Sequence, residues 1–299
     1  YAGVVTRVGS AVTRFQVGDE VLGIGSGCLK EIVQVPELMI HCKPSKLSMQ
    51  VASTVPIVYC TVELALGELA KLRAGETVLI HAAAGGVGLA AIQYAQKVGA
   101  QVVATASEGK HEYLRGLGVE LITTSRDADQ FALDMAAMGL VDKVDVVLNS
   151  LGGDYISHSI DVLGAQGRFV EIGKRGIWTA EAVAERRPDI QYSVLALDNL
   201  SADLPEQFQQ LLSKVCSNFQ DGISTPLPYY VFDFCSEFAA AFRFLRNASA
   251  IGKVVLDIST SILPHTSQES VKLLNNAGGY VITGGLGGLG LQTAKVLAQ

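Results

Sequence analysis

Excess positive charge, paired cysteines and a long apolar run are all missing from this 299-residue chain. Its 23 Lys and Arg are outnumbered by 29 Asp and Glu, a net charge of −6. That leaves no basic footprint for nucleic acid. No uninterrupted stretch reaches the 18 or so apolar residues that span a bilayer, and no signal peptide opens the sequence. The five cysteines, Cys28, Cys42, Cys60, Cys216 and Cys235, are odd in number, dispersed and never in a CxxC pair. Reduced thiols in a cytoplasmic protein are expected, without disulfides. Metal ligands are also scarce. Cys28, His41 and Cys42 come nearest to a set, but no carboxylate or second histidine joins them at ligand spacing, and no metal is expected. His41 and Cys42 are neighbours on a predicted strand and would point to opposite faces.

Apolar residues make up 49% of the chain and charged ones 17%, as in a soluble, tightly packed α/β protein. At this length the chain can bury a large core and form about two domains. It enters in mid-pattern at Tyr1-Ala2-Gly3-Val4-Val5 without an initiator methionine, so a piece of something longer is expected.

The most informative stretch is 77–106, TVLIHAAAGGVGLAAIQYAQKVGAQVVATA. It predicts a buried strand, a glycine turn, a helix ended by Gly99, and a second strand. Such a βαβ unit brings backbone close to a pyrophosphate, and the helix N-terminus points unpaired N–H groups at it. The turn reads Ala83-x-Gly85-x-x-Gly88, with Gly86 and Val87 inside it. Alanine stands where the fingerprint's first glycine usually is. After the second strand come Ser107, Glu108 and Lys110, where an NAD site usually has an acid for the ribose 2′-hydroxyl. A hydroxyl and an ammonium suit a 2′-phosphate, so NADPH is favoured. Glu108 argues the other way unless it points to solvent, and Lys110 could be a mere surface lysine.

The strand–helix alternation then continues. Helices are expected at 110–117, 128–138 and 154–163, the last capped by Asp154. Strands are expected at 121–124, 144–149 and 168–173. This spacing predicts a Rossmann-type doubly wound parallel sheet. Ligands on such sheets bind beyond the strand carboxyl ends. Asn149, Ser150 and Leu151, and Gly173, Lys174 and Arg175, follow strands and are expected to face the cofactor. Lys174 and Asp198, the latter read as ending the strand YSVLALD, would share that edge. A lysine beside a carboxylate stays charged and can donate a proton. The same pair could equally be an ion-pair strut.

Elsewhere, short strands at 2–8, 20–22 and 31–35, with glycine and proline turns, suggest a small β-rich domain. Pro56 is read as a break before a helix at 61–72. Amphipathic helices are expected at 204–219 and 237–246, the second with Phe238, Ala241, Phe242 and Leu245 as a core stripe.

Several of these stretches, VVTRVGSAVTRFQVGDEV, VPIVYCTVELAL, LRAGETVLIHAAAGGVG, VVLNSLGG and GRFVEIGKR, resemble the medium-chain dehydrogenase/reductase superfamily. Within it, the chain is similar to the enoyl reductase domains of polyketide synthases and animal-type fatty acid synthases. The resemblance implies a GroES-like catalytic domain, here N-terminally truncated, from 1–56 and 199–260, around an NADPH-binding domain at 57–198. It implies Lys174 and Asp198 in protonation, and Gly252 and Lys253 near cofactor phosphates. It implies an acyl carrier protein bearing a phosphopantetheine-bound enoyl chain as partner, beside dehydratase and ketoreductase domains. Two departures stand out. A tyrosine donor common in the family would lie before Tyr1, and Glu63-Leu64 stands where Tyr-Tyr is common. Glu63 would change the polarity of the nicotinamide pocket if that segment lines it. Residues 261–276 read as a linker. Residues 277–299, with a second glycine turn at Gly284–Gly290, resemble the start of a ketoreductase domain. A free-standing quinone or alkenal reductase and a non-catalytic NADPH-binding scaffold are the competing readings. The second glycine turn argues against the former, and Glu63-Leu64 keeps the latter open.

Overall fold

A computed structural model describes residues 1–258, which belong to one compact unit, Tyr1–Thr260. The expected linker and the second glycine turn lie outside the described residues. The chain opens with β1 (Ala2–Val4), β2 (Glu20–Gly23) and β3 (Ile40–Cys42), an antiparallel sheet in that order. Helix α1 (Met49–Val62) follows, capped by the Ser48 side chain, which accepts from the Val51 N–H. Strands and helices then alternate: β4 (Thr77–Ile80), α2 (Gly86–Val98), β5 (Gln101–Ala106), α3 (His111–Gly116), β6 (Leu121–Thr124), α4 (Ala128–Ala137), β7 (Val144–Asn149), α5 (Asp154–Asp161), β8 (Leu163–Glu171), α6 (Ala180–Arg186) and β9 (Gln191–Val194). Helices α7 (Leu197–Asp203) and α8 (Pro205–Gln220), strand β10 (Tyr229–Asp233), helix α9 (Phe238–Arg246) and strand β11 (Lys253–Asp257) complete it.

The six strands from β4 to β9 form one parallel sheet in the order β6-β5-β4-β7-β8-β9. The order reverses between β4 and β7, which opens a crevice at their carboxyl ends. The expected doubly wound fold is therefore the observed one, and the three-stranded sheet fits a GroES-like part. The strands are apolar because both sheet faces are covered. One core packs α1, α2 and α8 against one face of the sheet and takes in Leu22 of β2 with Ile24 and Met39 beside the first sheet. A second packs Phe131, Met135, Ile156, Ile160 and Phe169 on the other face.

Residues 40–50 meet residues 209–257. Gln209 of α8 donates to the Ile40 carbonyl at 2.8 Å, Lys46 to the Gln220 carbonyl at 2.9 Å, and Gln50 to Asp257 at 3.0 Å.

Several expectations need correction. The first strand stops at Val4, and 31–35 forms no strand, because β2 takes β3 as its partner instead. Pro56 does not break the chain but sits inside α1. Its missing N–H costs one helical bond, which the packing of Ala52, Val55 and Val58 against the core outweighs. The helix then widens into a π-turn over Glu63–Leu69, with Ala70 N–H bonded to the Ala65 carbonyl. Together Met49–Leu69 is 21 residues with hydropathy 1.4, long and apolar enough to cross a membrane by length and composition, but 67% of its apolar window is buried inside this fold. Asp154 is the first residue of α5, not its cap, because Gly153 takes the cap position with φ 65°. The next strand begins at Leu163, five residues early, where it already pairs with Val144.

Strand β9 ends at Val194, so Asp198 sits in the first turn of α7 and not at a strand end. In α9 only Ala241 of the expected stripe is buried; Phe242 and Leu245 are 46% and 50% exposed. Phe244 faces β10 instead, against the rings of Tyr230 and Phe232. The aromatic spacing allowed two faces, and packing chose the other.

Glu63 is also not what its position suggested. It is 7% exposed, accepts from Asn218 at 3.0 Å and pairs with Lys214 at 2.7 Å, both on α8. It ties the π-turn to α8 and does not meet the glycine turn. Hydrogen bonds to a charged group contribute roughly 1.5–3 kcal/mol. Glu63→Ala is therefore expected to lower unfolding free energy by about that amount, measured by urea denaturation, and to leave dinucleotide affinity unchanged.

Candidate active site at the carboxyl edge of the sheet

Residue Ala82, two positions past the end of β4, adopts φ 49°, the left-handed region that a non-glycine residue rarely occupies. It is held there by neighbours. Its N–H donates to the Thr105 hydroxyl at 3.1 Å, and its carbonyl accepts from Gly85 at 2.8 Å. Beside it, buried His81 bonds Thr105 on β5 at 3.1 Å and Ser159 on α5 at 2.7 Å. Burial holds His81 down at about 3, so it is neutral at any ordinary pH. The turn is thus fixed from three elements.

The glycines have different reasons. Gly85 is the N-cap of α2 and offers no side-chain cap, so the first-turn N–H groups stay available to a ligand. A Cβ on Gly88 would stand 2.5 Å from Ala83 Cα, so the helix can lie this close to the turn only with glycine there. A Cβ on Gly86 would stand 2.6 Å from Lys253 Cδ. Strand β11 reaches the turn: Gly252 pairs with Gly85 and donates to the Ala84 carbonyl at 2.9 Å. Lys253 therefore runs its stem over the start of α2, and burial lowers its pKa. A buried cation there is placed for anionic phosphate.

At the end of β5, Ser107 is half-buried and Glu108 exposed. Lys110 donates to the Ala250 carbonyl at 2.6 Å. An ammonium has three donors, so two remain. Burial first, and then Arg126, lower the Lys110 pKa. Arg126 follows β6 and brings a second cation to this corner. Sequence reading passed over it because it lies on a different strand's loop, and only sheet order brings β6 beside β5.

Across the crevice, Asn149 donates to Glu171 at 2.6 Å and to the Leu151 carbonyl at 2.8 Å. Leu151 N–H returns to Asn149 at 3.2 Å, and Ser150 reaches the His81 carbonyl at 3.5 Å. Glu171 also accepts from Gly173 N–H at 2.6 Å. Next in the chain, Lys174 donates to Asp198 at 2.6 Å, with the two side chains 63% and 65% exposed. The Lys174 bond holds Asp198 below the usual carboxylate range. A Cβ on Gly152 would stand 3.9 Å from the Arg175 carbonyl, so the loops after β7 and β8 run close together. Every sequence-predicted site residue thus falls on one edge of the sheet. Ala83–Gly88, Ser107 and Lys110 cluster at one end, Asn149–Leu151 in the middle, and Gly173–Arg175 with Asp198 at the other.

Among the described residues, no three His, Cys, Asp or Glu side chains converge as metal ligands. His41 bonds the Cys42 carbonyl and Cys28 the Gly25 carbonyl. The residues present do not fit a zinc ion.

Comparison with known proteins identifies the family. The family model described as zinc-binding dehydrogenase matches residues 117–256. Among curated proteins, the spectinabilin polyketide synthase system protein NorB of Streptomyces orinoci is 38% identical over 300 residues. The mycocerosic acid synthase-like polyketide synthase of Mycolicibacterium smegmatis is 38% identical over 312. Both matches cover 100% of this chain but only 13% and 14% of those proteins. Among solved structures, the CurK enoyl reductase is 42% identical with a TM-score of 0.77, covering 86% of this chain and 77% of that one. The CurF ER cyclopropanase from the curacin A pathway is 36% identical with a TM-score of 0.79 over the same shares.

A doubly wound sheet with this glycine turn and a small antiparallel sheet defines an oxidoreductase of the medium-chain dehydrogenase/reductase class, whose members bind nicotinamide cofactors. Within it the chain belongs to the enoyl reductases of polyketide synthases.

The contact between Gly88 and Ala83 is open to test. Gly88→Val would force the turn and α2 apart, so nicotinamide dinucleotide binding is expected to be lost while circular dichroism retains the fold. Fluorescence titration reads the first; unchanged affinity in a folded variant would contradict the placement.

Proposed function

We propose that this chain is the NADPH-dependent enoyl reductase of a polyketide-synthase-like megasynthase. It reduces the 2,3 double bond of an enoyl thioester carried on the phosphopantetheine of an acyl carrier protein, with dehydratase and ketoreductase as neighbouring domains in a cytoplasmic assembly. The GroES-like part would be 1–56 with 199–260, and the cofactor domain 57–198. The observation that carries the reading is the Lys174–Asp198 pair at the carboxyl edge of the sheet, with Lys174 on the loop after β8 and Asp198 in the first turn of α7.

The cradle suits the cofactor. Gly88 lets α2 lie close against the turn at Ala83, and Lys253 and the open N-terminus of α2 would offer positive charge for the pyrophosphate. Lys110, Arg126 and Ser107 would hold the 2′-phosphate, and Asn149, Ser150, Leu151, Gly173 and Arg175 would line the rest. When bound, the cofactor supplies a hydride to C3 of the thioester. The electron pair of the double bond then moves toward the carbonyl, and the enolate needs a cation near its oxygen and a proton for C2. Lys174 would supply both, oriented by Asp198. Its exposure suits a substrate that arrives from outside on a long arm.

Cofactor choice is one test. NADPH is expected to bind more tightly than NADH, and Lys110→Ala to shrink the difference. Equal dissociation constants for the two cofactors in the unmodified protein would exclude the 2′-phosphate site.

The second test separates chemistry from support. General acid contributions run to roughly 10²–10⁴-fold. Lys174→Ala in the intact synthase is expected to slow single-turnover reduction of an enoyl thioester by about this range, while NADPH still binds and the melting temperature holds. Asp198→Asn should do less, since the lysine stays charged. Were the pair only a strut, residual activity would follow the folded fraction, and an unimpaired rate in folded Lys174→Ala would end the catalytic assignment.

A further inference from the structure

Glu171 has no part in the reaction as drawn above, yet it is the acidic group buried most completely at this edge. It ends β8 and is 0% exposed. Its carboxylate accepts from the Asn149 amide at 2.6 Å through one oxygen and from the Gly173 N–H at 2.6 Å through the other. Its backbone carbonyl accepts from Leu195 at 2.8 Å, where the chain leaves β9 for α7 and Asp198. Neither side-chain bond comes from a cation, and burial raises the Glu171 pKa.

We propose that Glu171 is a positioning residue: its two carboxylate oxygens lock the loop after β7 to the loop after β8, and so set where Lys174 presents its ammonium. This rests on the reading of Lys174 given above.

The geometry has little slack. Asn149 is the direct register partner of Glu171, and its amide also fixes Leu151, so one oxygen reaches the Asn149–Leu151 loop. The other reaches Gly173, the residue before Lys174. A Cβ on Gly173 would stand 2.7 Å from that same oxygen. Gly173 does not have positive φ, so glycine is not needed there for backbone freedom. The space it leaves is taken by the Glu171 carboxylate. A buried carboxylate with two N–H donors is a double acceptor, and an amide in its place would set its own N–H₂ against one of those donors. Glutamine is therefore not a conservative change here, although its shape is.

The test is a double-mutant cycle on single-turnover enoyl reduction at saturating NADPH, in the intact synthase. Glu171→Gln is expected to slow turnover roughly 10–100-fold, the range that follows from a displaced catalytic group; the opposed donors lower its melting temperature, so the rate is read on protein that circular dichroism shows folded at the assay temperature. Gly173→Ala, which leaves the charge alone and pushes on the same oxygen, should produce a loss of the same kind and stands in if Glu171→Gln fails to fold. The double variant Lys174→Ala/Glu171→Gln should be no slower than Lys174→Ala alone, since there is then nothing left to position. A parental rate in folded Glu171→Gln beside a slow Lys174→Ala would overturn this proposal and spare the role of Lys174. So would losses that multiply, the mark of a separate structural effect. A parental rate in Lys174→Ala would instead remove the reading on which the proposal rests.

Discussion

The close approach of α2 to the turn before it is the constraint on which the cofactor edge depends. Gly88 must lack a side chain because Ala83 occupies the space a Cβ would need. Only then does the helix point its unpaired N–H groups into the crevice opened by the change in strand order between β4 and β7. The price of that turn is a left-handed Ala82, held by Thr105 and flanked by a neutral, fully enclosed His81. The polar groups under the turn are therefore part of its geometry, and not stray polarity in an apolar core.

The other end of the edge follows a different design. The glycine-turn end is held by backbone and small residues, whereas the loops after β7 and β8 are joined by buried side chains, Asn149 and Glu171. The pair beside them, Lys174 on the loop after β8 and Asp198 on α7, faces water. A surface ion pair contributes little to stability, which favours the proposal that Asp198 orients the Lys174 ammonium. Rigid support beneath and exposure above suit a group that must meet an incoming substrate at a fixed point.

Glu63 illustrates how a departure from family wording is absorbed. An acid in a largely apolar segment could have altered the reactive pocket. The π-turn instead directs it to α8, where Lys214 and Asn218 satisfy it. The acid is thus tied into the packing of the π-turn on α8.

The sequence by itself determined the parallel sheet, because buried strands have to be apolar throughout and their spacing with helices leaves one way to connect them. It also determined the glycine turn and the loops at strand ends, since topology sends all of these to one edge. Tertiary structure alone decided the rest. Whether Pro56 broke a helix depended on the packing around it, and 31–35 lost its strand because β2 paired elsewhere. The face α9 buries turned on which aromatic met β10. Asp198 left its strand for a helix but kept its partner. Arg126 and Glu171 were invisible as site residues because their roles depend on neighbours in space: one on the strand beside β5, the other on two loops that only the sheet register brings together. Local pattern fixes which elements form; which side chains meet is set by pairing and packing between elements far apart in the chain.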